Sequence, residues 1–322
     1  VSLFSSNKGI TVLQHVLFGL ATYVPGVKNI RRHQTGGTDT AQYCYSVWMR
    51  HLNSFAQFTE NKVPKIIAEL GPGDSLGIGL AALLSGAERY IGLDVAQYAS
   101  NHRNHQIFDE LVSLFKNRAF IPDDAKFPRV RPKLNTYNFP SHILSDARLA
   151  DLLETNRIEH IRWSLDHINH PDSCIRYVAP WFGAGEIRKN EIDLIFSQAV
   201  LEHVDQLEDS YSIMAHWLKP SGMMSHQVDF KCHGLSKHWN GHWAISDFTW
   251  KLVRGNRDYL LNRATLSTHF KFLEKAGFKV LSSQKVTTQS SIERHNLAGN
   301  FRKLCDEDLN TSGVFFVAKK IV

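Results

Sequence analysis

At 322 residues the chain can bury a large core, and its 43% hydrophobic and 21% charged residues exclude a disordered or fibrous protein. A net charge of +6 is modest and its basic residues are scattered, so no polybasic arm offers itself to nucleic acid, although a diffuse positive surface suits an anionic acceptor. Cys44, Cys174, Cys232 and Cys305 lie far apart without a Cys-x-x-Cys pair, which argues for reduced thiols in a cytoplasmic compartment.

The chain opens on Val1 rather than Met, so its natural start is expected upstream. Ile10–Val24 is too short to cross a bilayer and carries Gln14 and His15 in its middle. Leu13, Val16, Leu17 and Leu20 share one helical face, which predicts a packed amphipathic helix and, at most, peripheral membrane contact. Asn29–Thr40 reads as a polar loop and Ala41–Phe58 as a helix whose Tyr43, Tyr45, Trp48 and Phe55 face a core. Residues 1–63 are thus expected to be a helical extension or cap on a domain running from 64 to 322.

Lys65–Leu70 has the length and apolar content of a buried parallel strand. It ends in Gly71-Pro72-Gly73, where missing side chains let a ligand approach the backbone. Asp74 or Ser75 is expected to cap the following helix, Gly86 to close it, and Arg89–Leu93 to form a second strand ending in Asp94. This is a nucleotide-binding βαβ unit, with Asp94 placed to accept both hydroxyls of a ribose. The dinucleotide pattern Gly-x-Gly-x-x-Gly is broken by Leu76, with the next glycine at Gly77. Glu69, two residues before the bend, would repel a pyrophosphate and attract a ligand carrying an ammonium and a sulfonium.

Helical patterns at 97–118 and 143–168 flank a segment containing Pro122, Pro128, Pro132 and Pro140, and together they read as an inserted helical lid at about 97–172. Ser173–Val178 is the third strand, followed by Ala179-Pro180-Trp181. Glu191–Ser197 is the fourth, a helix follows from Leu207 to Leu218, and Lys219-Pro220-Ser221-Gly222 breaks it before a fifth strand, Met223–Asp229. A helix at Thr268–Ala276 and strands at Phe278–Val286 and Gly313–Lys319 complete the pattern.

Five motifs stand in order: E-L-G-P-G-D, Asp94 at a strand end, D-L-I-F-S-Q-A-V-L-E-H-V, L-K-P-S-G, and E-K-A-G-F before a late strand. Together they resemble the class I S-adenosylmethionine-dependent methyltransferases, in the branch acting on small molecules, lipids and glycans. V-D-F-K-C-H-G-L-S-K-H-W-N-G-H-W-A-I-S-D and the later L-L-N-R resemble members associated with bacterial polysaccharide biosynthesis. The resemblance implies an α/β, Rossmann-like, mostly parallel seven-stranded sheet with an antiparallel last strand and helices on both faces. It implies S-adenosyl-L-methionine as cofactor, held by Glu69, Gly71, Pro72, Gly73, Asp94, Ala179, Pro180, Trp181, Ser197 and Gln198, with Trp181 stacked on the adenine.

Ser197-Gln198-Ala199-Val200 stands where base amino-methylating enzymes carry an Asn or Asp-Pro-Pro-aromatic motif, and no Pro-Cys nucleophile occurs. The expected acceptor is therefore a small molecule or glycan; RNA or protein methylation, or cofactor binding without turnover, is the alternative. Methyl transfer to an alcohol needs a proton acceptor, and His203, Asp229 and His233 lie at strand ends where open α/β sheets build their sites. His238 and His242 add to a histidine cluster, but Gly234 and Gly241 interrupt any helix, so the spacing of helical metal ligands is missing and no metal is expected. Trp239, Trp243 and Trp250 offer faces to a sugar or form a lid core, and Asn262-Arg263 could hold an anionic acceptor group. Nothing in the sequence specifies an oligomeric state.

Overall fold

The structure is a computed structural model that describes residues 12–24, 37–181, 185, 187–257 and 260–321; Val1, the first two residues of the expected amphipathic helix and most of the polar loop lie outside them. Strands β1 (Ile66–Leu70), β2 (Arg89–Leu93), β3 (Ile175–Val178), β4 (Ile192–Gln198), β5 (Leu218–Asp229), β6 (Phe278–Thr287) and β7 (Thr311–Lys320) form one sheet. Its order is β3-β2-β1-β4-β5-β7-β6. The strands from β3 across to β5 are parallel, and β7 runs antiparallel between β5 and β6. This is the Rossmann-like arrangement the motifs implied.

Central β1 pairs with β2 on one side and β4 on the other, and Ile67 to Leu70 are buried on both faces. That is why it reads as an unbroken apolar run rather than an alternating one. β5 starts five residues earlier than the sequence pattern put it: Leu218 already pairs with Ile192, and an irregularity before the Leu194–Met223 pair absorbs the Pro220-Ser221-Gly222 stretch.

Helices α1 (Val12–Ala21), α2 (Ala41–Ala56), α3 (Gly77–Leu84), α4 (Asn101–Lys116), α5 (Asp146–Leu152), α6 (Thr155–Asp166), α7 (Leu207–Trp217), α8 (Asp247–Arg254), α9 (Leu266–Lys275) and α10 (Asp306–Asn310) surround the sheet. Ile67, Tyr90 and Phe196 share one core with Trp48 of α2, Leu80 of α3 and Phe108 of α4. Ala68, Ile91 and Ile195 share the opposite core with Tyr211 of α7 and Leu273 of α9.

The segments outside the minimal fold pack into its main core. Helix α2, expected in an extension, is a full layer of the main core: Tyr45, Trp48 and Met49 are wholly buried, and the Trp48 indole donates to Ser85 Oγ at 2.7 Å. In the expected lid insertion at 97–172, α4 and α6 pack in the same core. Its proline-rich middle is held by Arg50 of α2, whose buried guanidinium donates to Pro132 O at 2.6 Å and Pro122 O at 3.2 Å and pairs with Asp124 at 3.1 Å. Hydrogen bonds from a charged donor replace the ladder bonds that such a segment cannot make. No described helix is long and apolar enough to cross a membrane.

Three histidines lie inside these cores, bonded through Nδ1: His51 to Ser225, His226 to Ser197 and His269 to Tyr211. Burial pushes His51 and His269 down to about 3, and His226 well below its ordinary value. A folded-state pKa depressed below the unfolded one contributes stability that is present above pH 6.5 and lost as pH falls toward 3. Urea titrations between pH 7 and 4 should therefore lose about 1.4 kcal/mol per pH unit below pH 6.5 for each of His51 and His269. His51→Gln should flatten that slope by about one proton's worth.

Candidate active site

The chain leaves β1 through Gly71-Pro72-Gly73, and both glycines adopt the left-handed region, at φ +64° and +73°. A Cβ on Gly71 would stand 2.7 Å from Cγ2 of Val200, so the first glycine makes room for a side chain of the loop after β4, not for a ligand. Gly77 likewise admits α2, since a Cβ there would meet Cys44 Sγ at 2.5 Å. At the start of helix α3, Ser75 Oγ, one of the two expected capping groups, accepts from the Gly77 amide at 3.1 Å, and Asn104 Oδ1, which the sequence did not suggest, accepts from the Leu76 amide at 2.9 Å.

Asp94 faces the second glycine. Its Oδ2 accepts from the Gly73 amide at 3.2 Å and its Oδ1 from the Val95 amide at 2.7 Å. Burial raises the carboxyl to about 6, against the opposing effect of these amides. Tyr177, whose hydroxyl donates to Ala96 O at 3.2 Å, lines a cavity of about 380 Å³ together with Ala179, Asn101, Asn104 and Asn169.

Several residues assigned to the cofactor from sequence are engaged elsewhere. Glu69 is 2% exposed and accepts from the Tyr90 hydroxyl at 2.7 Å. Burial pushes it to about 8, so at neutral pH the expected negative flank is largely discharged. The Trp181 amide donates to Asp94 O at 2.8 Å, but its ring is 1% exposed and packs edge-on to Trp217, with no face left for an adenine. Ser197 is buried on His226 at 2.7 Å, and Gln198 bonds Gln227, which in turn binds the Arg129 carbonyl and the Arg131 amide of the insertion. Ala179 borders the cavity, and Pro180 joins it to Trp181.

The other half of the site gathers at the ends of β4 and β5. After β4, Ala199 takes φ +56° and the chain enters a 3-10 turn, Leu201–His203. Asn262 clamps this turn, donating from Nδ2 to Leu201 O at 2.7 Å and Val204 O at 2.9 Å, and from its amide to Glu202 O at 2.8 Å. Beyond β5, His233 takes φ +47°, and its Nε2 lies 3.6 Å from Asp229 Oδ2. Non-glycine residues in this region are uncommon and cluster where function holds them. The His203 and His233 rings are 5.2 Å apart. Burial pushes Asp229 up, but His233 and Lys231 outweigh it and hold the carboxyl below its ordinary value.

Glu202 was missed by sequence reasoning, although it adjoins His203; Asn262, expected beside Arg263 to hold an anionic acceptor group, is instead spent on clamping this turn. Glu202 is 3% exposed, and neither carboxylate oxygen has a hydrogen-bond partner. Burial and the Asp229 charge raise it well above its ordinary value, tempered by nearby backbone amides that do not reach bonding geometry. Among the described residues, one ligand atom each of Glu202, His203 and His233 lies within 4.8 Å of the others. His238 and His242 do not join them: His238 bonds Ser291 at 2.7 Å and His242 is buried beside Trp243. Arg263 is bound to Ile245 O and Asp247 over the Trp250 ring, so it is not presented to an acceptor. Trp243 and Trp250 are core residues.

No family model matches the sequence, and no curated protein matches it. Among solved structures, the chain is similar to an S-adenosylmethionine-dependent methyltransferase from Mesorhizobium loti, 13% identical over 84% of this chain and 100% of that one, with a TM-score of 0.40. It is also similar to phosphoethanolamine N-methyltransferase 2 of Haemonchus contortus, solved with S-adenosyl-L-methionine, at 15% identity over 92% of this chain and 60% of that one, with a TM-score of 0.42. Such likenesses are of fold alone, and the strand order is the firmer observation.

Gly71→Ala tests the bend. Strain at positive φ and the contact with Val200 should together lower stability by about 2 kcal/mol or more. Thermal melts of Gly71→Ala with Val200→Ala should recover only the steric part.

Proposed function

We propose that the chain is an S-adenosylmethionine-dependent methyltransferase acting on a hydroxyl of a small molecule or saccharide, in keeping with its resemblance to members associated with polysaccharide biosynthesis. The observation that carries this reading is Asp94, a carboxylate at the end of β2 that is 3% exposed and fixed by the Gly73 and Val95 amides; Tyr177 and Ala179, at the end of the neighbouring strand β3, border a cavity that Asp94 itself does not line. A nucleoside fits these residues. Asp94 would accept from the ribose, and Tyr177, Asn104 and Ala179 would border the base. A diphosphate does not fit, because the Gly73 amide that would hold it already donates to a carboxylate.

When bound, S-adenosylmethionine supplies a methyl group activated by its sulfonium. The chain's own part is to align the acceptor and remove its proton. The cluster of His203, Asp229 and His233 stands at the ends of β4 and β5, partly exposed, and the acceptor's proton is lost within it. Glu69, Ser197 and Gln198 act from behind, by packing and bonding the strands that carry the bend and the turn.

Calorimetric titration with S-adenosylhomocysteine should show one site in the micromolar range, and no binding at millimolar ligand would remove the reading. Asp94→Asn should weaken it about 10-fold or more, the loss of a charged hydrogen-bond acceptor. Affinity should also fall as pH drops through about 6, where Asp94 becomes protonated. His233→Ala should lower turnover while leaving that affinity unchanged.

A further inference from the structure

The geometry points to Glu202, His203 and His233 as a binding site for one divalent transition-metal ion of the Mn²⁺-to-Zn²⁺ series, with Asp229 orienting His233. Three observations carry it. One ligand atom from each of the three residues lies within 4.8 Å of the other two, close enough for a single ion to draw them together. Glu202 is 3% exposed, yet both of its carboxylate oxygens lack a hydrogen-bond partner. A buried carboxylate in that state is costly unless something absent from the protein chain completes it. The surroundings are also built to hold the set in place. Asn262 ties down the turn carrying Glu202 and His203 through three hydrogen bonds, and His233 is kept at φ +47° with Asp229 3.6 Å from its Nε2. A carboxylate behind a ligating imidazole fixes the ring and its tautomer.

The donor set selects the class of ion. Two imidazole nitrogens and one carboxylate suit first-row transition ions, whereas Ca²⁺ and Mg²⁺ prefer oxygen alone. Three protein ligands leave coordination positions open, and the partial exposure of His203 and His233 turns them toward solvent, where an acceptor enters. This role rests on the methyl-transfer reading; the metal site itself does not. An acceptor hydroxyl bound to the ion ionises at lower pH and its proton goes to water. The oxygen's electron pair then forms the bond to the methyl carbon, and the sulfonium leaves with the carbon–sulfur pair as a neutral thioether. The two imidazoles hold the ion, which does the work otherwise asked of a base.

The test uses the full chain stripped with a chelator and titrated with Zn²⁺ in the absence of any nucleoside. One ion per chain should bind, with a rise in melting temperature that Ca²⁺ does not reproduce. Glu202→Gln and His233→Ala should each weaken Zn²⁺ binding at least about 10-fold, while His238→Ala, outside the cluster, leaves it unchanged. Metal-free Glu202→Gln should melt no lower than metal-free wild type, because it removes an unpaired buried carboxylate. No Zn²⁺ binding, wild-type affinity in both cluster variants, an equal response to Ca²⁺, or a lower melting temperature for metal-free Glu202→Gln would each overturn the assignment. Zn²⁺ binding without S-adenosylhomocysteine binding would overturn the methyl-transfer reading alone, and the converse would overturn the metal site alone.

Discussion

The constraint on which the site depends is the reversal of strand order at β1. Because β2 and β4 pair with opposite edges of β1, the connections leaving β1 and β4 diverge and open a crevice at the carboxyl ends of the strands. The residues to which chemical roles are given above sit around that opening. The bend after β1 and Asp94 after β2 make one wall, and the turn after β4 with Asp229 and His233 after β5 makes the other. Val200 joins the walls, since its side chain fills the space that Gly71 leaves.

The two walls differ in how they are stabilised. On the Asp94 side, backbone amides meet a carboxylate, and the carboxylate oxygens and the Leu76 amide all have partners. On the other side a buried carboxylate has none, two imidazoles face each other, and two non-glycine residues occupy positive φ. Native proteins tolerate such local disagreement where a ligand completes the arrangement. The contrast sets a wall whose carboxylate is held by backbone amides opposite one whose buried carboxyl group has no hydrogen-bond partner.

The segments flanking the fold make this arrangement rigid. Helix α2 inserts Trp48 and Tyr45 beneath the sheet, and its Arg50 gathers the carbonyls of the proline-rich stretch that would otherwise lack partners. That stretch reaches the end of β5 through Gln227, beside Gln198. Residues far apart in the chain thus brace both strands that carry the second wall.

What the sequence determined by itself was what is encoded locally: the strands with their unbroken apolar runs, a glycine bend after the first of them, Asp94 at a strand end, and His233 four residues after Asp229. Periodicity and glycine chemistry act over a few residues, so they survive without a partner in view. Tertiary structure alone decided which polar groups are already satisfied. Glu69, Trp181, Ser197 and Arg263 looked available because Tyr90, Trp217, His226 and Asp247 are distant or unmarked in sequence. Glu202 looked ordinary for the opposite reason, since its want of a partner follows from burial, and burial is set by the packing of the whole chain.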